Sequence, residues 1–225
     1  MAVVPASGAT LPDGWGVHLE GLADVAAWAP VLEDECVVRA NDHVRVASLL
    51  GVDRRYSEVS SIEGAIVEGV FASGSDTTEV PCACLGLGVR SELQLRSQSE
   101  DPPLFSLSAP IRGKRLSSFR ERAFRTVPMH ACGTFSINAD LDTRYLMVPL
   151  SEAQTLLGRP TEVSRYEVQG RPGVAQETLA ASVTAALQSA LGEEWKDVHI
   201  RTRDEKHKFV TQTNRAEKWL SLIHI

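Results

Sequence analysis

The period of the apolar positions changes along the chain. Leu22, Val25, Ala26 and Ala29 recur at helical spacing up to Pro30, which predicts a short helix stopping there. Val31 to Arg39 and Val44 to Val52 are β-branched runs on either side of Asn41-Asp42, a turn dipeptide, and together they predict a hairpin. Residues 53–61 read as a connection. Further on, Ala65 to Phe71 alternates loosely, 74–78 reads as a loop, Leu85 to Leu95 as a helix, and Leu104 to Ala109, Phe124 to Ile137 and Tyr145 to Val148 as strands. Ser151 followed by Gln154 fits a capping box at the start of a short helix, and Gly158 supplies its stop.

The last third turns helical again. Val163 to Val168 reads as a strand. Leu179, Val183, Leu187 and Leu191 recur every four residues and make one apolar stripe that ends at Gly192, and Val198 to Thr202 is a further strand. Phe209, Thr213, Ala216, Leu220 and Ile223 fall on one face of a final helix that carries Lys218 and Trp219 near its end. Helix, strand, strand at the start and strand, helix, strand at the end enclose a mostly β block. This order predicts an α+β fold in which a module built from both termini is interrupted by a β-rich insertion.

Composition narrows the class. With 225 residues, 43% of them apolar and 6% aromatic, the chain has enough hydrophobic side chains for one large or two small cores and needs no staples. A formal charge of −6, from 23 basic and 29 acidic residues, argues against a nucleic-acid partner held by the whole surface. No stretch is long and apolar enough to span a bilayer, and the first twelve residues lack a leader pattern. Four cysteines, Cys36, Cys82, Cys84 and Cys132, are too few for a disulfide scaffold and do not by themselves fix the redox compartment.

Catalytic signatures are missing from the sequence. It contains no His-Glu-x-x-His, Gly-x-Ser-x-Gly or Gly-x-Gly-x-x-Gly, and Gly113-Lys114 lacks the spacing of a phosphate loop. These absences point to a non-enzymatic chain without a cofactor. Cys82-x-Cys84 and His130-x-Cys132, if on neighbouring strands, would turn four soft ligands to one side, a possible zinc set. The spacing is narrower than the usual zinc knuckle, and small cysteines are common in buried strands, so the plain structural reading carries more weight. The scattered His18, His43, His199, His207 and His224 suggest no site. The most uneven charge lies between Arg112 and Arg125, where Arg112, Lys114, Arg115, Arg120, Arg122 and Arg125 are opposed only by Glu121. Such a run is either a solvated hairpin tip or an arm that meets an acidic protein or anionic head groups.

Four segments in order, LGVDRRYSEVSSIEGAIVEG (50–69), CGTFSINADLDTRYLMVPLSEAQTLLG (132–158), EVSRYEVQ (162–169) and NRAEKWLSLI (214–223), resemble the extracytoplasmic, MacB-like domain of FtsX-like ABC transporter permeases, the lipoprotein-releasing LolC/LolE type above all. The resemblance implies a ferredoxin-like porter module at 1–58 and 160–206, a β-rich inserted subdomain at 59–159, and at 207–225 a stalk helix leading to a membrane span, with Arg215, Lys218 and Trp219 near the membrane. It further implies a fragment of a multi-pass protein on the periplasmic side of the inner membrane. The partners would be a cytoplasmic ATPase subunit, a second permease copy or paralogue, a periplasmic lipoprotein carrier and lipoprotein cargo. In that type a hairpin of the insertion hooks the carrier, and the matching position is the basic 110–122 segment with Arg112, Lys114, Arg115, Arg120 and Arg122. The chain departs from the pattern in starting at the first strand, in its four cysteines, and in ending at His224-Ile225 where an apolar run is expected. Rival readings are a regulatory module that activates a partner hydrolase, an efflux permease domain, and a zinc-binding module.

Overall fold

The computed structural model describes residues 1–8, 10–71, 80–96, 101–111 and 124–202. Within them the strands, in chain order, are β1 (Ala2–Pro5), β2 (Leu11–Pro12), β3 (Val25–Ala40), β4 (His43–Val52), β5 (Ile66–Gly69), β6 (Cys82–Gly86), β7 (Leu104–Pro110), β8 (Phe124–Phe135), β9 (Tyr145–Pro149), β10 (Glu162–Val163), β11 (Arg165–Gly170) and β12 (Val198–Arg201). The helices are α1 (Tyr56–Val59), α2 (Leu87–Glu92), α3 (Ala139–Asp142), α4 (Leu150–Leu157) and α5 (Gln176–Leu191). The hairpin predicted around Asn41-Asp42 is β3 and β4, paired from Ala40 opposite His43 to Val31 opposite Val52. Asn41 takes the left-handed conformation (φ 50°) that a two-residue turn between right-twisted strands requires.

Two expectations fail at the start of the chain and in α4. Residues Val25 to Ala29 belong to β3, not to a helix, and Pro30 sits inside the strand. Pro30 is paired with Tyr166 inside the β11 ladder, but on its other side the β4 ladder begins only at Val31, so that side of Pro30 has no strand pairing for its missing N–H to break. The helical turn is instead a 3₁₀ segment, Asp13–Leu19. The capping box is also overturned. Pro149 precedes α4 without any side-chain cap, and the Gln154 amide donates to Asp13 Oδ2 (2.9 Å) rather than folding back. Gly158 does end α4, at φ 67°. The stripe on α5 buries Leu179, Val183 and Leu187, as its four-residue period requires.

Strand pairing carries the architecture further than the sequence does. The strands β12, β1, β11 and the first half of β3, contributed by both ends of the chain, form one continuous antiparallel array. The second half of β3 then leads into a ring: β3 pairs β4, β4 pairs β9, β9 pairs β6, β6 pairs β8, β8 pairs β7, and β7 returns to β3. Six strands thus close a small barrel, which removes their free edges. Alternation puts Cys36, Val38, Leu49, Leu85, Leu107, Met129, Leu146 and Val148 into one buried cluster. That interior is packed side chain to side chain. Because β6 and β9 run in opposite directions, the helices that follow them lie at opposite mouths: α2 adds Val89, and α4 adds Ala153 and Leu156, to the same core. A second cluster, with Val31, Leu50, Cys84, Phe135 and Met147, lies on the outer face under Ile62, Tyr56 and Ile66. The terminal array and the middle strands are therefore not separate sheets, since β3 serves both.

Candidate interaction hairpin and its anchorage

The two strands that carry the basic segment are fully paired to their ends, from Leu104 opposite His130 to Pro110 opposite Phe124. They leave the barrel at the mouth closed by α4. Of the basic side chains, Arg112, Lys114, Arg115, Arg120 and Arg122 lie outside the described residues, as do Arg215, Lys218 and Trp219. Arg125 lies within them, half-buried, and its guanidinium is engaged by the protein. Its Nη1 donates to Thr155 O (2.8 Å), which also accepts from Gly158 N (3.3 Å), and to Leu156 O (3.1 Å), both carbonyls of the last turn of α4. Gly158 makes room for it: a Cβ there would come within 2.8 Å of the same nitrogen.

The outer wall of the barrel beside this hairpin is half apolar and half hydroxylated. Val46 lies opposite Val37, which lies opposite Ser108, which lies opposite Thr126; in the next row come Val44, Arg39, Ser106 and Pro128. Val44 and Val46 are 57% and 60% exposed, and Leu104 is exposed at the other end of the wall.

The cysteine and histidine pairs meet as the spacing anticipates, with Cys82 opposite His130 on adjacent strands, but not as a ligand set. Cys82 and Cys132 are joined by a disulfide whose Cα atoms are 5.5 Å apart, which removes both thiolates from any metal. His130 Nδ1 lies 2.9 Å from Pro102 O, and Cys84 is buried beside Gly133 with burial pushing its thiol up to about 12. A register shift in β8 between these pairs puts Cys132 at a bulge, where its carbonyl accepts from Val70 N (3.1 Å). Gly69 (φ 71°) lies so close to that carbonyl that no side chain fits.

Three arginines that the sequence does not mark, two of them buried (Arg90 and Arg159) and one half-buried (Arg165), organise the rest. Arg165 is pinned between Glu33 and Glu167; burial works against its charge, but the two carboxylates outweigh it and raise its pKa. Tyr145 Oη donates to Glu33 (3.3 Å), and burial followed by the Glu33 charge raises the Tyr145 pKa. Arg90, on α2 itself, donates to Leu95 O, Thr134 Oγ1 and Glu68. Arg159 pairs with Asp34 (2.6 Å). A polar cavity of about 620 Å³ lies between the α1 segment, β11 and α5, lined by Glu58, Ser60, Gln169, Gln176 and Arg201, with Thr202, the last described residue, at its wall. None of these arrangements pairs a nucleophile with a base in reach of it.

No family model and no curated protein sequence matches the chain. Solved structures do share its fold. The extracellular domain of the noncanonic ABC-type transporter YknZ from Gram-positive bacteria superposes with a TM-score of 0.63 at 13% identity, over 85% of this chain and 94% of that one. The periplasmic region of MacB from Actinobacillus actinomycetemcomitans gives 0.65 at 14% identity, over 93% and 91%. The chain has the fold of extracytoplasmic domains of ABC-type transporters.

Proposed function

We propose that this chain is the extracytoplasmic domain of an ABC transporter permease of the MacB and FtsX type, a non-catalytic part that transmits motion driven by a separate ATPase subunit and works beside a second permease copy. The observation that carries this reading is a fold shared over more than nine-tenths of the neighbouring transporter domains. The Cys82–Cys132 disulfide supports it, because such bonds persist on the oxidising side of a membrane and are rare in the reducing cytosol. In this reading the terminal array with α5 is the porter-like module, and 207–225, with Arg215, Lys218 and Trp219, is the stalk toward the membrane.

The finer reading is release of lipid-anchored cargo to a soluble periplasmic carrier. Its support is the ordered sequence resemblance and the uneven charge of 112–122, between two strands that are paired up to Pro110 opposite Phe124. Burial of acyl chains is worth about 0.8 kcal/mol per CH₂, so a carrier must offer comparable apolar shelter, and charge on the hairpin would serve encounter rather than cargo binding.

Topology is tested by Ser108→Cys, on the outer wall of the barrel, in the full-length native gene. A membrane-impermeant maleimide should label it in cells whose inner membrane is intact; labelling only after lysis refutes the transporter reading. The cargo reading is tested by reversing Arg112, Lys114 and Arg115 to Glu and following lipoprotein release from spheroplasts. Release that is unchanged at low salt removes the basic segment from the mechanism.

A further inference from the structure

Arg125, the member of the basic run that lies among the described residues, is tied to another element, and that element is itself tied elsewhere. On its near side α4 receives the two bonds from Arg125 to Thr155 O and Leu156 O. On its far side Gln154 Nε2 donates to Asp13 Oδ2 (2.9 Å) and to Glu162 O (3.3 Å), and Arg159, directly after the helix, pairs with Asp34 of β3. Asp13 N donates in turn to Thr161 O (2.9 Å), Glu162 and Val163 pair with Pro12 and Leu11, and Tyr166 Oη donates to Asp13 O (2.7 Å). These links join residues far apart in sequence and run without a gap from the root of the β7–β8 hairpin, through α4, to β2, β10 and β11.

We propose that α4 with its following loop, residues 150–162, is a coupling element that ties the position of the hairpin root to the terminal array, with Arg125 as the positioning residue. Two features make this element depend on its tertiary links. The helix has only eight residues, too short to hold itself without tertiary contacts. Arg159 is 4% exposed, yet its Nε has no hydrogen-bond partner, so the arrangement leaves one costly donor that a shifted loop can satisfy. A load on the hairpin that displaces Arg125 removes its bonds to Leu156 O and Thr155 O, leaving Thr155 O only the longer bond from Gly158 N, and the change passes to Gln154 and Asp13. This inference stands apart from the transport reading: it concerns how two parts of the chain communicate, whatever binds at either.

Hydrogen exchange by mass spectrometry on the whole chain tests it, with Arg125→Ala, Arg125→Lys and Gln154→Leu beside the unaltered protein. Arg125→Ala should accelerate exchange about tenfold or more both in 155–162 and in 11–13, while β6 and β9 stay as they were. Arg125→Lys, which keeps a donor, should recover part of that protection. Coupling is reciprocal, so Gln154→Leu on the far side should loosen Ala109 and Thr126 at the hairpin root. Acceleration by Arg125→Ala that stays within the last turn of α4, or a hairpin root indifferent to Gln154→Leu, overturns the proposal. If Arg125→Ala loosens every segment alike, the two milder variants decide, and uniform loosening in all three also overturns it.

Discussion

Severing the bond between Cys82 and Cys132 is the perturbation whose magnitude follows most directly from the structure. The two residues are 50 apart in sequence, and closing a loop of that length in the unfolded chain removes entropy worth about 4 kcal/mol at room temperature. In the folded chain the bond adds little that the ladders lack, since β6 and β8 are already paired from Cys82 opposite His130 to Gly86 opposite Phe135. Its effect should therefore fall on the unfolded state. Cys82→Ala/Cys132→Ala should keep the fold but lower the urea midpoint by about 1 M or more, taking a slope of about 3 kcal/mol per molar for a chain of this size. Reduction of the unaltered protein should reproduce that shift and leave the double variant unmoved. Thiol titration of unreduced, denatured protein matured in an oxidising compartment should find only Cys36 and Cys84. Four reactive thiols, or a midpoint indifferent to both treatments, would refute the pairing and with it the support it lends to an extracytoplasmic setting.

Two further expectations concern the core. Burial pushes both Cys36 and Cys84 from 9.0 to about 12, so between those values the unfolded chain loses protons that the folded chain keeps. Stability is full below pH 9 and falls above it, by up to about 1.4 kcal/mol per pH unit for each thiol, and Cys84→Ala should flatten that alkaline decline in a urea series. At Gly51 a Cβ would come within 2.3 Å of the Ala153 Cβ, because α4 lies directly on β4 there. Gly51→Ala should cost about 1–3 kcal/mol in thermal unfolding, and adding Ala153→Gly should recover part of it; a fully stable Gly51→Ala protein contradicts the close packing of α4.

How much could be read in the residues differs by element. The hairpin β3–β4, the strands β7, β8 and β9 and the helix α5 were legible because each is fixed by its own period and its own turn residues, Asn41, Gly158 and Gly192 among them. Val25 to Pro30 misled because a stretch of alanines and one proline has helical spacing whatever it pairs with, and only β11 across the sheet makes it a strand. Gln154 misled for a similar reason: the capping pattern is local, whereas its amide is claimed by Asp13, 141 residues away.

The candidate site divides along the same line. The sequence alone established that the charge is concentrated between Arg112 and Arg125, that no catalytic motif is present, and that the last third alternates strand, helix and strand. Only the tertiary structure closed six strands into a barrel, paired Cys82 with Cys132, set Arg165 between Glu33 and Glu167, and turned Arg125 from a member of a charge run into the clasp on α4. Periodicity records what a residue needs from solvent and from its near neighbours. Which distant strand or carbonyl supplies its partner depends on strand order and register, and these are set by the packing of the whole chain.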